Sequence, residues 1–519
     1  MRIVLYPVLL VLLPVASLLS TNIESIAIRH SLRAGIIAVV GVVFLLLILK
    51  RAFGDWHRAG IVTSAFALLF FTYGYIQDFV VAPFVQMNPE PIARHMPLVT
   101  VLVMLLAVLT WSVSRTRINL QSISSFLTVV AVGALVLPLV KIANHELRGL
   151  EAWPEGVEKP TAEFTALERT DVLPDIYYIV LDGYGRADVL SEIYDFDNSS
   201  FLDFLEDRGF SVGDESSSNY GVTHLSLASS LNLSYLDRLA ETMGDDSEDH
   251  RAVTTLLKGN LVAQMLRDLG YEVIAIETGY RRTEFYDADV FLRMPARSVT
   301  PFEAVLLEHS MARALLDILG GLGLGRWYPG YQAHRDLIHF SLDELVRATT
   351  FENPKFIFAH ILAPHPPFLF EMDGRNNTPA FPYSIEDGNY FAGSSDEYVT
   401  GYRKQVSYLN SQLSEVVSKI IAFSEVPPII VLQGDHGPGL MVNWDDATET
   451  NLFERMSILN AILISGFDGD QISQSISPVN TFRLIFNEQF GADFELLDNK
   501  SYFSSWRRPY EFVEAPLSE

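Results

Sequence analysis

The chain of 519 residues carries 37 Lys+Arg against 63 Asp+Glu, a net charge of −26 that is spread unevenly. Residues 1–150 hold the apolar excess with 11 basic and 5 acidic residues, net +6, whereas 151–519 hold 26 and 58, net −32; so acidic a region repels phosphate backbones and argues against nucleic acid as a partner. There is no cysteine, which excludes disulfides, thiolate metal sites, cysteine nucleophiles and cysteine-ligated haem or iron–sulfur groups, so a metal must be held by His, Asp, Glu or hydroxyl oxygen.

Five apolar stretches come first, at or near the roughly 17–25 residues a helix needs to cross a bilayer: Ile3–Leu19, Ala34–Leu49, Ile61–Val81, Met96–Ser112 and Ile123–Ile142. Arg2 and Val15-Ala16-Ser17 give the first the look of a secretion signal, but four more stretches follow and a retained helix is expected. Lys50, Arg51 and Arg58 lie between the second and third stretches and Arg115 and Arg117 between the fourth and fifth, while the alternate loops offer Arg29, Arg33 and Arg94. The positive-inside rule then places the N-terminus in the cytoplasm and everything beyond Ile142 outside: a multi-pass protein of the cytoplasmic (inner) membrane with an extracytoplasmic domain. Asp78 is the one acid within a predicted span, which disfavours a transporter and suits an anchor that holds a lipid substrate near an active site. The expected organisation is transmembrane helices over 1–143, a linker over 144–173 containing Pro154 and Pro160, and a globular domain over 174–519.

The globular domain opens with Pro174-Asp-Ile-Tyr-Tyr-Ile-Val-Leu-Asp182-Gly183, an apolar strand ending in an acid and a turn glycine. Such an Asp is either a cap or a ligand. Phe201–Gly209 is helical in pattern and leads to a hydroxyl-rich segment, Ser216 to Asn232, in which Leu227 and Leu231 recur at helical spacing after Thr223. Thr223 is either an N-cap or a nucleophile helped by the helix N-terminus behind it; Ser218 and Ser226 are fallback nucleophiles. An amphipathic helix over Leu256–Leu269, a strand over Gly270–Glu277, a helical stretch Pro301–Leu319, a glycine-rich break Gly320–Gly325 and a helix over Ala333–Thr349 continue the alternation. Glu277 and Arg281 are candidates to line a pocket. Phe356–His360 is another buried strand, running into Leu362-Ala-Pro-His365-Pro-Pro, where two histidines suit phosphate or sulfate recognition or metal ligation unless the prolines merely expose His365. After a polar loop, Gly374–Ser395, a helix from Asp396 to Ser424 precedes the strand Pro428–Leu432 and Gly434-Asp435-His436-Gly437. A carboxylate and an imidazole at the C-terminal end of a buried strand suit a metal site, against the plainer reading of a capped turn. Met456–Ser465 reads as a strand and Val479–Phe490 as a helix, and the tail from Phe494 carries no chemical signal. The alternation predicts an α/β fold with a mainly parallel central sheet.

Four segments in this order, Ile-Val-Leu-Asp182-Gly, Asn219-Tyr-Gly-Val-Thr223-His-Leu-Ser-Leu, His360-Ile-Leu-Ala-Pro-His365-Pro-Pro and Gly434-Asp-His-Gly437, resemble the alkaline-phosphatase superfamily, in particular its sulfatase-like branch with lipoteichoic acid synthases and phosphoethanolamine transferases. The resemblance covers roughly Pro174 to Asn487. It implies an αβα catalytic domain in which Asp182, Thr223, Asp435 and His436 bind one divalent ion, zinc or manganese, Thr223 is the nucleophile, and His360 and His365 contact the phosphate or the leaving group. Asp182 departs from the transferases, which usually carry Glu there, and resembles the nucleotide pyrophosphatase branch instead. The chain has neither a cysteine nor a Ser-x-Pro-x-Arg segment near Thr223, so formylglycine sulfate-ester hydrolysis is not expected. No histidine follows His436, which favours a single metal. The expectation is a membrane-anchored, metal-dependent phospho-group transferase or phosphodiesterase/phosphatase acting through a phospho-threonine on an envelope lipid or glycan. The alternative is an inert sulfatase-like domain that binds envelope polymer or a partner protein.

Overall fold

The computed structural model describes residues 4–24, 26–81, 91–149, 167, 173–295, 299–321, 329–352, 354–379, 383–464, 466 and 474–515. Most of the expected linker 144–173, part of the glycine-rich break and part of the polar loop after Gly374 lie outside these residues. The chain divides into two units, Met1–Glu151 with Ala296–His334, and Ala152–Pro295 with Arg335–Glu519.

In the first unit the five apolar stretches are helices: Tyr6–Thr21, Arg29–Phe53, Trp56–Ile76, Pro91–Arg115 and Gln121–Gly149. Four are long and apolar enough to cross a membrane, over Arg29–Phe53, Trp56–Phe79, His95–Arg115 and Gln121–Leu147. Tyr6–Thr21 has 16 residues, and at ~1.5 Å per residue it spans about 24 Å, short of a ~30 Å hydrocarbon core. Large apolar side chains such as Ile36, Phe44, Val108, Trp111, Val129 and Leu137 are exposed on the longer helices, as suits surfaces that face lipid tails. The stretch Pro301–Leu319, which the alternation carries into the globular domain, instead groups with these helices as Pro301–Glu308 and Ala312–Gly321. Phe302 and Leu306 cluster with Val15, Leu18, Leu19, Ile23 and Ala34, and Ala314 clusters with Tyr73, Leu98 and Leu102. Its charges are matched as well: Arg33 Nε donates to Glu303 at 2.6 Å, Arg313 pairs with Asp78 at 2.8 Å, and His95 Nε2 meets Asp317 at 2.7 Å. Single-sequence periodicity shows an amphipathic helix but cannot say which surface its apolar side covers.

In the second unit seven strands form one sheet in the order β2-β7-β6-β1-β5-β3-β4, numbered along the chain: β1 Ile176–Leu181, β2 Ser211–Val212, β3 Glu272–Ile276, β4 Val290–Leu292, β5 Lys355–Ile361, β6 Ile429–Gly434 and β7 Asn460–Leu463. From β6 to β4 the pairing is parallel, whereas β7 runs antiparallel to β6 and to β2. β1, β5 and β6 are buried throughout, the condition for central strands covered on both faces. The outermost strands are only two and three residues long, which limits the unpaired edge. Ile176, Tyr178 and Val180 of β1 and Phe356 and Phe358 of β5 share one core with the helices Thr223–Leu231, Leu261–Leu269 and Pro478–Phe490.

The expected helix Leu256–Leu269 is two helices, Arg251–Lys258 and Leu261–Leu269, because Asn260 caps the second by accepting the Ala263 N–H at 2.9 Å. Met456–Ser465 contains the end of a short helix, Leu452–Met456, before β7. The long helix Ser395–Phe423 starts at a capping box between Ser394 and Glu397. The tail forms a hairpin, β8 Ser501–Phe503 with β9 Val513–Ala515, and straps the segment before Thr223: Tyr502 N–H donates to Asn219 O at 2.9 Å and Gly221 N–H to Tyr502 O at 3.1 Å.

Candidate active site

Register places the carboxylates. Leu181 is paired with Gly434 and with Ile361 in the parallel ladder, so Asp182 and Asp435 leave adjacent strands at the same height, where neighbours lie about 4.8 Å apart. Gly183 turns the chain with a φ of 75°, a conformation that costs glycine least. Asp435 Oδ1 accepts the N–H groups of Gly183 at 3.1 Å and His436 at 3.0 Å. One oxygen thus does what a capping Asp does, and the other faces His436 Nε2 at 3.3 Å.

His436 is oriented by its own turn. Its Nδ1–H donates to Gly437 O at 2.9 Å, which leaves Nε2 as a bare acceptor. That atom lies 3.5 Å from Asp182 Oδ1 and 3.1 Å from Thr223 Oγ1, whose hydroxyl donates to it. Gly437 admits no side chain, since a Cβ there would sit 2.0 Å from Glu454 O.

Thr223 is the first residue of its helix, not the cap; the cap is Val222, whose side chain makes no capping bond. Every other residue of that helix is buried, and Thr223 alone is partly exposed. Its hydroxyl therefore sits at the helix N-terminus, where the aligned peptide dipoles favour negative charge. Ser218 and Ser226 are engaged elsewhere. Ser218 Oγ donates to Tyr220 O at 2.8 Å, also lies within bonding range of the Asp435 carbonyl, and meets Ser226 Oγ at 3.2 Å.

His360 shares the strand parity of Phe356 and Phe358, so it faces the side of the sheet that carries the Thr223 helix. Its Nδ1 meets Thr283 Oγ1 at 3.0 Å and its Nε2 faces Asp182 Oδ2 at 3.4 Å. His365 lies in the loop after β5, Nδ1 donating to Pro366 O at 2.7 Å and Nε2 facing Asp387 at 3.7 Å. Glu277 accepts the Met294 N–H at 2.7 Å, so it anchors the chain after β4. Of the turn Arg281–Thr283, Thr283 reaches the site through His360.

Among the described residues, Asp182, Asp435 and His436 are a buried group whose ligand atoms all lie within 4.8 Å of one another. Asp182 Oδ1, Asp435 Oδ2 and His360 Nε2 are buried without a hydrogen-bond partner. Native proteins seldom leave such atoms bare. Oxygens and an imidazole nitrogen converging on one point fit a divalent ion of the zinc or manganese type. Burial acts on Asp182 to raise its pKa, yet the neighbouring His365, His360 and His436 hold it below the usual carboxylate range. Asp435 is pushed up, first by burial and then by the negative charge of Asp182. His436 is held well below its ordinary value by burial and then by Arg455, which keeps it a neutral imidazole.

Several residues that sequence reading missed hold this geometry. On the Ser395–Phe423 helix, Tyr398, Tyr402 and Gln405 follow one another at four and three residues, one helical face. The Tyr402 hydroxyl accepts the Gly185 N–H at 3.0 Å and donates to Gly183 O at 2.9 Å. Gln405 Nε2 donates to His365 O at 3.0 Å, and Tyr398 OH donates to Asp387 at 2.8 Å. The spacing was visible in the sequence; the loops it meets were not.

The sulfatase family model matches residues 174–482. No curated protein matches the chain. Among solved structures, the C-terminal periplasmic domain of EptC from Escherichia coli is similar at 12% identity and a TM-score of 0.42, covering 70% of this chain and 96% of that one. The corresponding domain of the phosphoethanolamine transferase EptC from Campylobacter jejuni is similar at 12% identity and a TM-score of 0.37, with coverages of 63% and 92%. The phosphonate monoester hydrolase of Agrobacterium radiobacter is similar at 12% identity and a TM-score of 0.40, with coverages of 64% and 80%.

Proposed function

The chain belongs to the sulfatase family, and from that premise we propose that it is a membrane-anchored, metal-dependent enzyme that transfers or hydrolyses phospho-ester groups of an envelope lipid or glycan, with Thr223 as nucleophile. The observation that carries the reading is the meeting of two unpartnered buried carboxylate oxygens, on Asp182 and Asp435, with His436 Nε2 and the Thr223 hydroxyl. Asp182, Asp435, His436 and Thr223 would hold one zinc or manganese ion. Such an ion supplies positive charge that favours the Thr223 alkoxide and offsets charge on a phosphoryl oxygen.

Thr223 Oγ1 attacks phosphorus in line: the O–P bond to threonine forms as the bond to the leaving alcohol breaks, giving a phospho-threonine. In this reading His365 protonates the leaving oxygen. Burial lowers its pKa, but Asp182 and Asp387 outweigh this and raise it above the ordinary histidine value. His360 binds the phosphate from the side opposite Thr283. A second alcohol, or water, gives its proton to the now neutral His365 and attacks the phospho-threonine; the new O–P bond forms as the bond to Thr223 breaks, releasing the threonine alkoxide.

The charge pattern supports an extracytoplasmic site. Lys50 and Arg51 lie in the last turn of the first of the four long helices and Arg58 in the first turn of the second, while Arg115 ends the third and Arg117 follows it before the fourth. With those ends inside, the chain after Leu147 emerges outside whether or not Tyr6–Thr21 crosses.

The test uses the full-length protein in detergent: metal content and p-nitrophenyl phosphodiester hydrolysis for wild type, Thr223→Ala and Asp435→Asn. One bound metal with activity lost in both variants is expected. A folded wild type that takes up no metal from zinc or manganese would overturn the reading in favour of a binding module.

A further inference from the structure

Arg455 is only 1% exposed, and it sits on no element that carries a proposed ligand. Its Nε donates to Gly221 O at 2.8 Å, and its Nη1 donates to Gly437 O at 3.1 Å and faces Asp387 Oδ2 at 3.3 Å. The guanidinium also lies 4.8 Å from the centre of the Trp444 ring. Each hydrogen-bonding partner belongs to a segment that delivers a functional side chain. Gly221 is two residues before Thr223. Gly437 O is the acceptor that orients His436 through Nδ1. Asp387 is the carboxylate that faces His365.

We propose that Arg455 is a positioning residue, one rigid fork that sets the His436 ring, the entry to the Thr223 helix and the His365–Asp387 pair in a single geometry; the inference rests on the metal-dependent reading above. Stability alone gives a weak reason to bury this ion pair, since well-packed apolar residues often serve as well. Carbonyls of two separate turns require donors spread over a plane. Arginine supplies them, and lysine, a single point of charge on a flexible stem, cannot. Without the fork, Gly437 O keeps its bond from His436, and the Gly437 N–H still donates to the Arg455 backbone carbonyl at 2.7 Å. The turn stays in place while its carbonyl, and with it the His436 ring, loses one of the two bonds that fix its tilt. The ligand set then loosens although every ligand is still present.

The experiment compares full-length wild type with Arg455→Lys and with the charge-neutral double variant Asp387→Asn/Arg455→Gln. It reads thermal unfolding, zinc affinity by chelator competition, the visible spectrum of the cobalt-substituted protein, and kcat and KM on a p-nitrophenyl phosphodiester. Arg455→Lys is expected to fold, to bind zinc about 10–100-fold more weakly, to show an altered cobalt spectrum, and to lose kcat far more than KM. Unchanged zinc affinity and cobalt spectrum in either folded variant overturns the inference. Failure of both variants to fold also overturns it, because Arg455 then serves the fold. Wild type that binds no zinc is a separate result: it removes the metal-dependent reading itself.

Discussion

Thr223 occupies the first helical position with its hydroxyl directed to His436, and the cap before it is a valine without a capping bond. Thr223→Ala should therefore change unfolding free energy by no more than about 0.5 kcal/mol, where loss of a capping threonine costs about 1. The same variant should lower turnover by at least about 10³-fold. A chemical or thermal melt beside the phosphodiester assay separates the two, and a destabilised but active variant would return Thr223 to the role of cap. Glu454, buried beside Tyr194 and accepting the N–H groups of Leu440 and Met441, has its pKa raised to about 7, chiefly by burial. A carboxyl that binds its proton more tightly folded than unfolded favours the fold below its unfolded pKa, and that contribution is lost as pH rises through the folded value. Between about pH 4.5 and 7 this residue thus withdraws on the order of 3 kcal/mol of stability. Glu454→Gln should remove that slope, so melting curves of variant and wild type should diverge in the variant's favour across this window. Parallel curves would show that Glu454 titrates normally.

The helix Ser395–Phe423 acts on the site through a face rather than through a ligand. Tyr402 bridges Gly183 and Gly185, the turn that follows Asp182. Tyr402→Phe leaves a buried N–H and a buried carbonyl unpaired at an otherwise unchanged ring, and should cost about 1–3 kcal/mol in unfolding free energy. A loss near zero, measured by denaturant melts, would mean that the turn holds itself. The helix itself was legible, from Asp396 to Ser424, although its Ser394 to Glu397 cap emerged only in the structure. That Tyr398, Tyr402 and Gln405 each meet a different site loop was not, because those loops come from segments distant in sequence. The tail shows the same limit. Without motif or periodicity it reads as silent, yet its hairpin hydrogen-bonds the segment that leads to Thr223.

At the scale of the molecule, the segment Ala296–His334 leaves the sheet-bearing unit and joins the N-terminal helices. A fragment starting near residue 151 would strip Phe302, Leu306 and Ala314 of their apolar partners and Glu303, Arg313 and Asp317 of their ion pairs. It should aggregate or require detergent, whereas a fragment that also lacks 299–321 should be less dependent on it; size-exclusion chromatography with and without detergent decides. A monodisperse, detergent-free 151–519 fragment would show that the segment does not need the helices. What the sequence determined by itself is what local pattern and order can carry: apolar helices by length, buried strands by unbroken β-branched runs, and a sulfatase-like fold by four short segments in sequence. Which atoms come together was decided by tertiary structure alone. Parallel register sets Asp182 beside Asp435, a turn carbonyl orients His436, and Arg455 and the Ser395–Phe423 helix tie the loops. Apart from the His436–Gly437 bond, each is a contact between groups far apart in the chain, and a one-dimensional pattern holds no measure of that distance.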